Sequence, residues 1–147
     1  MATGAVRFSG FRILAARDLP IPKGILLDNS RVEVDDVEVE GAGIGVEISG
    51  GASPVLRANS IHDCIHEGVL IVGASEAWIS HNDIRRNKGA GLAAREGALP
   101  VLLQNVFEKN LVEPPELMAA AKEQNLFLDA GAPAGRRPAT PPAKKKE

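Results

Sequence analysis

Three short stretches of the chain carry the same order of apolar and polar residues. They read VLRANSI at 55–61, WISHNDI at 78–84 and VLLQNVF at 101–107. In each stretch an aliphatic residue is followed three positions later by Asn and five positions later by a large apolar residue. The asparagines are Asn59, Asn82 and Asn105, so the period is 23 residues both times. A fixed period of this length predicts a solenoid, in which each unit stacks on the one before it.

Glycines repeat with the same period, at Gly45, Gly68 and Gly91. The segments that begin with them read GVEIS, GVLIV and GLAAR, and their apolar residues alternate with other residues. Alternation with a period of two is typical of a β-strand. We therefore predict at least two short strands in each unit, one after the glycine and one around the asparagine.

An earlier and looser unit begins at Gly24. Its best match to the later units aligns Val32, Asp35 and Val37 with Ile79, Asn82 and Ile84. The stretch VRFSGFRIL at 6–14 has the features of a fragment of one more unit. We therefore predict a solenoid of about four to five coils.

Two kinds of solenoid share part of this pattern. Leucine-rich repeats also place Leu three residues before and two residues after an Asn. They fail here at the residues five and eight positions before each Asn, which are Pro54, Ala77 and Pro100 and Gly51, Ala74 and Gly97. In a parallel β-helix, equivalent residues of successive coils stack about 4.8 Å apart, so aliphatic columns fill the interior. There an Asn at a bend can adopt the left-handed conformation and pass hydrogen bonds along the stack.

On its Gly, aliphatic and Asn columns the chain resembles the right-handed parallel β-helix repeat family, from Gly24 to about Asn110. This is the pectate-lyase-like and NosD-like group of polysaccharide-acting and carbohydrate-binding proteins. The resemblance implies an all-β, right-handed parallel β-helix. It does not choose a function, because the same scaffold carries lyases, hydrolases, epimerases and non-catalytic modules.

The segment after the last Asn repeat favours a helix. It reads EPPELMAAAKEQN at 113–125, with Pro at the start and strong helix formers after it. An open β-helix must protect its end strands, so we predict a C-terminal capping α-helix at about 114–125. A single β-helix domain then covers residues 1–130, and its N-terminal segment could form either a cap or an exposed first strand.

Composition changes at Gly131. The segment GAPAGRRPATPPAKKKE has no apolar periodicity, which predicts a disordered tail at 131–147 with a net charge of +4, against −6 for residues 1–130. Five cations without an interleaved aromatic residue argue against a nucleic-acid partner. The chain as given shows neither a signal-peptide pattern nor a run of roughly 20 apolar residues. We therefore expect a cytoplasmic protein with no membrane partner.

The motif HDCIH invites a metal interpretation. It places His62, Cys64 and His66 at alternate positions, where a strand would direct three ligands to one face. The repeat aligns them with Arg85, Asn87 and Gly89, in a variable turn where strand geometry is not expected to hold. A solvated turn is the alternative that we favour, so we predict no metal site and no cofactor.

Catalytic candidates are few. In the family that the chain resembles, lyases use clustered carboxylates with Ca²⁺ and a basic residue, and hydrolases use Asp residues on adjacent coils. The nearest candidates are Asp63, Asp83, Arg85 and Arg86. The period aligns Asp83 with Ser and Val, so no second carboxylate stacks on it. We therefore expect no catalytic site, and an enzyme is the less favoured class.

The repeat also predicts a binding surface. If the aliphatic residue of each stretch points inward, the residue before it points outward, which gives a surface column of Val55, Trp78 and Val101 beside Arg57. An exposed Trp can stack on a sugar ring or a partner's side chain; alternatively, Trp78 packs under the N-terminal segment or the tail. We predict a non-catalytic module that binds a polysaccharide or a protein. A bactofilin-like self-assembling scaffold and a polysaccharide lyase or hydrolase remain the alternatives.

Overall fold

The computed structural model describes residues 6–112 and 121–128 of the 147-residue chain. These residues contain fifteen short strands, numbered β1 to β15 in chain order. Strands one coil apart pair in parallel and form three sheets, so each complete coil contributes one strand to each sheet. The result is a β-solenoid of about five turns, which confirms the predicted fold class.

Each sheet collects the equivalent strands of successive coils. Sheet A contains β1 (Val6–Ser9), β4 (Val32–Asp35), β7 (Val55–Arg57), β10 (Trp78–Ser80) and β13 (Val101–Leu103). Sheet B contains β2 (Arg12–Leu14), β5 (Glu38–Glu40), β8 (Ser60–His62), β11 (Asp83–Arg85), β14 (Val106–Glu108) and β15 (Leu126–Leu128). Sheet C contains β3 (Lys23–Asp28), β6 (Ile44–Ser49), β9 (Val69–Ile71) and β12 (Leu92–Ala94).

Aliphatic columns fill the interior. In sheet A the inward column runs through Phe8, Val34, Leu56, Ile79 and Leu102, one residue from each coil. In sheet B the corresponding column ends with Phe107 and Phe127, whose rings stack with their centroids 4.8 Å apart. Such columns bury apolar side chains with a period of two, as the sequence pattern requires.

The loose first unit is shifted by two residues from its predicted alignment. Val34, not Val32, pairs with Leu56, and Val39 pairs with Ile61, so coils two and three are offset by 22 residues. The position equivalent to Asn59 is therefore occupied by Val37 and not by Asp35. The predicted alignment was wrong because two pairs of valines in this unit have the same five-residue spacing, and the pattern alone did not show which pair points inward.

A ladder of buried asparagines connects the coils at the bend between sheets A and B. The Asn82 side-chain oxygen accepts hydrogen bonds from the backbone and side-chain amides of Asn59, both at 2.9 Å. Its amide group donates to Asn105 Oδ1 and to the Leu56 carbonyl oxygen, each at 3.0 Å. Asn105 in turn donates to Asn125 Oδ1 at 2.9 Å. The ladder predicted for Asn59, Asn82 and Asn105 therefore has a fourth member.

The left-handed residue at this bend is the one before each asparagine, not the asparagine itself. Ala58, His81 and Gln104 have φ values of 59°, 58° and 56°. The prediction that Asn supplies this conformation was wrong. Two adjacent residues meet the two requirements of the bend. The first adopts the left-handed conformation, and the second directs its carboxamide into the stack.

A second asparagine ladder lies at the other end of the sheet B strands. Asn87 Oδ1 accepts from the backbone amide of Cys64 at 3.0 Å, and Asn110 Oδ1 accepts from the Asn87 side chain at 2.9 Å. The spacing of 23 between Asn87 and Asn110, five residues after Asn82 and Asn105, is a signal that the sequence analysis did not use.

The glycine column marks a close approach between the backbone and the core. A Cβ atom at Gly45 would lie 2.5 Å from the Ile61 side chain and nearer still to the Gly68 carbonyl oxygen. At Gly68 it would lie 2.8 Å from the Gly91 carbonyl oxygen. Only glycine fits where sheet C begins so close to the next coil.

The predicted capping helix is not supported. Residues 113–120 lie outside the described residues, and residues 122–125 form a turn and a bend rather than a helix. The next three residues form β15, which pairs with β14 and so adds a strand of a further coil to sheet B. Helix propensity misled here because Asn125, which ends the turn, binds Asn105 and extends the first ladder. At the other end, β1 is the first strand among the described residues, and it pairs with β4 as part of the coil stack.

The predicted tail at 131–147 lies outside the described residues. No helix among the described residues is long and apolar enough to cross a lipid bilayer.

Candidate functional site

The outer face of sheet A carries the predicted apolar column. Trp78 pairs with Val55 on one side and with Val101 on the other, and all three point away from the core. Trp78 is 47% exposed and Val101 is 42% exposed. Their positions agree with the sequence analysis, because strand alternation fixed the outward residue once the inward one was known. Whether the column binds anything stays a prediction.

Charged residues lie beside this column, toward the N-terminal coils. Asp35, which is only 4% exposed, accepts two hydrogen bonds from the Arg7 guanidinium, at 2.8 and 2.5 Å. Arg57 lies 3.7 Å from the same carboxylate. The hydrogen bonds from Arg7, followed by the charges of both guanidinium groups, outweigh the effect of burial and hold the pKa of Asp35 below its ordinary value. Arg57 keeps half of its side chain exposed beside the apolar column.

The outer face of sheet B carries a polar network that we call the His62 cluster. It consists of Arg12, Glu38, Glu40, His62, Asp63 and Arg86. His62 lies between two carboxylates: its Nδ1 is 2.6 Å from Asp63 Oδ2, and its Nε2 is 3.4 Å from Glu38 Oε2. Although it points outward from the sheet, His62 is buried, with only 7% of its surface exposed.

Arginines stand at both ends of the His62 cluster. Arg86 donates to both Asp63 oxygens, at 3.1 and 2.8 Å, and this pairing lowers the pKa of Asp63 despite its partial burial. Arg12 donates to Glu38 at 3.0 Å and to Glu40 at 3.1 Å. Burial raises the pKa of Glu38, but His62 and Arg12 together outweigh that effect and lower it.

The four catalytic candidates are brought onto one face but are held in ion pairs. Asp63 pairs with Arg86 in the next coil, and Asp83 pairs with Arg85 on its own strand. Each carboxylate therefore faces a cation at hydrogen-bonding distance, and for Asp63 this pairing favours the ionised form. The arrangement provides no pair of free carboxylates for acid and base catalysis.

The three metal candidates of the HDCIH motif do not converge. His62 points to the outer face of sheet B, whereas Cys64 is fully buried in the core and contacts the His62 carbonyl oxygen. His66 is exposed beyond the strand. Burial raises the pKa of the Cys64 thiol to about 11, so the thiol stays protonated near neutral pH. Sequence reasoning missed that Glu38 and Glu40, from the preceding coil, are the ligand-type neighbours of His62.

Comparison with known proteins gives a family. Neither a curated protein nor a solved structure matches the chain. A family model described as "right handed beta helix region" matches residues 23–127, which is most of the chain and includes all strands from β3 to β14. Since the coils pair in parallel and build three sheets over the same residues, the chain belongs to the right-handed β-helix family.

Proposed function

We propose that the protein is a non-catalytic binding module that presents the outer face of sheet A to a polysaccharide or a protein partner. The observation that carries this proposal is the exposure of Trp78 in a column between two valines. Because Trp78 lies on the outer face and is about half exposed, packing of the core does not require an aromatic residue at this position. Such rings contribute a large contact area at low entropic cost when they bind a partner.

The surroundings of Trp78 suit a ligand with both apolar and polar faces. Val55 and Val101 extend the apolar strip across three coils, a span of about 10 Å at the usual strand spacing. Arg57 stands on the neighbouring outward column with donor groups for hydroxyl or carboxylate oxygens. This combination of a flat ring and an adjacent cation fits an acidic sugar unit, so polysaccharides are the first class to test.

The ion pairs of sheet B support a non-catalytic role. Asp63 and Asp83 are each held by an arginine, and the pKa of Asp63 is lowered rather than raised. A general acid needs a carboxyl group that keeps its proton near neutral pH, and a lowered pKa acts against this.

The test uses the intrinsic fluorescence of the protein. Trp78 is the single Trp and the chain has no Tyr, so its emission is read without interference. We expect red-shifted emission that acrylamide quenches freely, and protection from acrylamide when an acidic polysaccharide is added. A blue-shifted, protected signal in the free protein would end this proposal for sheet A.

Variants then identify the residue that binds. In a glycan array and in calorimetry, Trp78→Ala should weaken binding by about 2 kcal/mol, or roughly thirtyfold, as for a central interface aromatic. Leu26→Ala is the matched control, since Leu26 is also about half exposed but lies on sheet C. Equal losses in both variants would show that sheet A is not the binding face. If glycans fail but a protein partner is bound, the same two variants locate its contact.

A self-assembling scaffold is the second candidate, and one observation favours it. In the first coil the inward residues Phe8 and Ile13 are only partly buried, and Val6 and Phe11 nearby are more than half exposed. The outer edge of β1, opposite β4, pairs with no other strand among the described residues. Filaments in electron microscopy, or a concentration-dependent mass in light scattering, would support this candidate over the binding module.

A further inference from the structure

The His62 cluster joins neighbouring coils through side chains that are also common metal ligands. Glu38 and Glu40 lie on β5, and Glu40 pairs with His62 on β8. One ligand atom from each of the three side chains can be chosen so that all lie within 4.8 Å of one another. The cluster lies on sheet B, so a ligand bound there is independent of the function proposed for sheet A.

The partner of Nδ1 orients the imidazole. Asp63 accepts at 2.6 Å from His62 Nδ1, which must therefore carry a proton. Asp63 is itself held by two hydrogen bonds from Arg86. In a neutral ring the lone pair then lies on Nε2. A carboxylate that holds a histidine in this way orients it and makes the other nitrogen a stronger ligand.

The other ring nitrogen faces a carboxylate of the preceding coil. His62 Nε2 and Glu38 Oε2 are 3.4 Å apart, a separation that a proton on Nε2 bridges in the metal-free protein and that a metal ion could bridge in its place. Two atoms bound at about 2.0 Å to a tetrahedral Zn²⁺ lie about 3.3 Å apart. The observed separation therefore matches one edge of such a coordination sphere.

The geometry points to a binding site for a divalent transition-metal ion of the Zn²⁺ type, with His62 Nε2 and the carboxylates of Glu38 and Glu40 as ligands. The imidazole nitrogen selects this class over Mg²⁺ and Ca²⁺, which prefer oxygen ligands. Glu38 and Glu40 keep about a third of their side chains exposed, which opens the site to solvent, and a water would be the fourth ligand. The ion would tie the second coil to the third.

Arg12 is the competitor for this ion. Its guanidinium donates to both glutamates, so it occupies the region that the metal needs. Its side chain is 61% exposed, and ion pairs at such exposure are weak and screened by salt. The arginine can therefore move into solvent when an ion binds. This gives a prediction that a purely structural ion-pair network does not make: removing Arg12 should strengthen metal binding.

The experiment measures Zn²⁺ binding to the full chain without an affinity tag, by calorimetry near neutral pH. We expect one ion per chain, at least tenfold weaker binding in Glu40→Gln, and binding that is roughly 10- to 100-fold weaker in Asp63→Asn, which disturbs the orientation of His62. Arg12→Gln should bind roughly three- to tenfold more tightly, because a screened like charge is removed. Co²⁺ should give the visible absorption of a tetrahedral site with the wild type but not with Glu40→Gln.

Two controls keep the result specific. His66→Gln removes an exposed histidine outside the cluster and should leave Zn²⁺ affinity unchanged. Thermal unfolding without metal checks that each variant folds, and Glu40→Gln is the main test because Glu40 is partly exposed, unlike His62. Equal affinity in wild type and Glu40→Gln, weaker binding in Arg12→Gln, or no stoichiometric binding in the wild type would overturn the assignment.

Discussion

Asn82 satisfies backbone and side-chain groups in two neighbouring coils. Its oxygen accepts both amides of Asn59, and its amide group donates to the Leu56 carbonyl oxygen and to Asn105. These groups are shielded from water, so each one left without a partner costs about 1–3 kcal/mol. The buried carboxamides are therefore structural requirements of the coil stack rather than residues available for binding.

The first prediction compares three positions in this ladder. We expect Asn82→Ala and Asn105→Ala each to lower the free energy of unfolding by about 1–3 kcal/mol, because each residue has an asparagine on both sides. Asn59→Ala should cost less, since its oxygen accepts only the Val37 amide. Urea denaturation of the three variants checks the order. Equal midpoints for all three, or a larger loss at Asn59, would contradict the ladder.

At this scale the sequence predicted which residues recur but not the backbone conformation of each. The period identified the asparagines, and hydrogen bonding explains their recurrence. It could not show that Ala58 and His81 carry the positive φ values, because the side chains at those positions are unrelated. The conformation there is imposed by the coil and not by local preference, since alanine rarely adopts it by itself.

Among the elements, the glycine column sets how closely a sheet C strand approaches the next coil. Gly45 faces the Gly68 carbonyl oxygen and the Ile61 side chain, and both are fixed by pairing or by burial. A methyl group at this point must displace a backbone segment. The resulting strain would spread into the neighbouring coil, because the strands of sheet C are in register.

The second prediction concerns this contact. Gly45→Ala should destabilise the protein by about 1–3 kcal/mol, the usual cost of overpacking a core. Gly51→Asn is the control: Gly51 has a φ of +75° but open space around it, and asparagine tolerates that conformation. Thermal unfolding should show a large drop for the first variant and a small one for the second. Similar drops would contradict a requirement for space at Gly45.

The C-terminal strand shows where element prediction failed and which signal was present. Gln104-Asn105-Val106-Phe107 returns as Gln124-Asn125-Leu126-Phe127 after 20 residues rather than 23. A search for a constant period misses this copy, and the alanine-rich run before it favours a helix on propensity alone. Tertiary contacts decided the outcome, through the Asn125 hydrogen bonds and the stacking of Phe127 on Phe107.

Across the whole molecule, each coil contacts mainly the coils on either side of it. Stability in such a stack is close to a sum of the coils and their interfaces. The inward residues of the first coil, Phe8 and Ile13, are only partly buried, whereas Ile79 and Ile84 in the fourth coil are fully buried. The first described coil should therefore open more readily than the central coils.

The third prediction tests this gradient by hydrogen exchange. Amides of β1 and β2 should exchange at least tenfold faster than those of β10 and β11 under native conditions, because fewer buried contacts oppose local opening. Mass spectrometry of peptides that cover these strands measures both rates. Uniform protection along the stack would contradict easier opening of the first described coil and indicate a single cooperative unit.

Surface sites were the least predictable feature at this scale. The Trp78 column followed from alternation because coils three to five share the 23-residue offset. The His62 cluster combines coils that are offset by 26, 22 and 23 residues, so Arg12, Glu38 and His62 have no common spacing in the sequence. Only the actual coil lengths bring them together.

The equal length of the later coils has a consequence for how this protein can grow. Residues 78–100 contain one complete set of contact residues: a member of each asparagine ladder, a member of the glycine column, and one strand for each sheet. A second copy of this segment placed after Pro100 would pair in register with both neighbours. The molecule would become about 4.8 Å longer while every existing coil kept its fold. Tandem duplication within the gene can therefore change its length in whole steps, without any redesign of the ends.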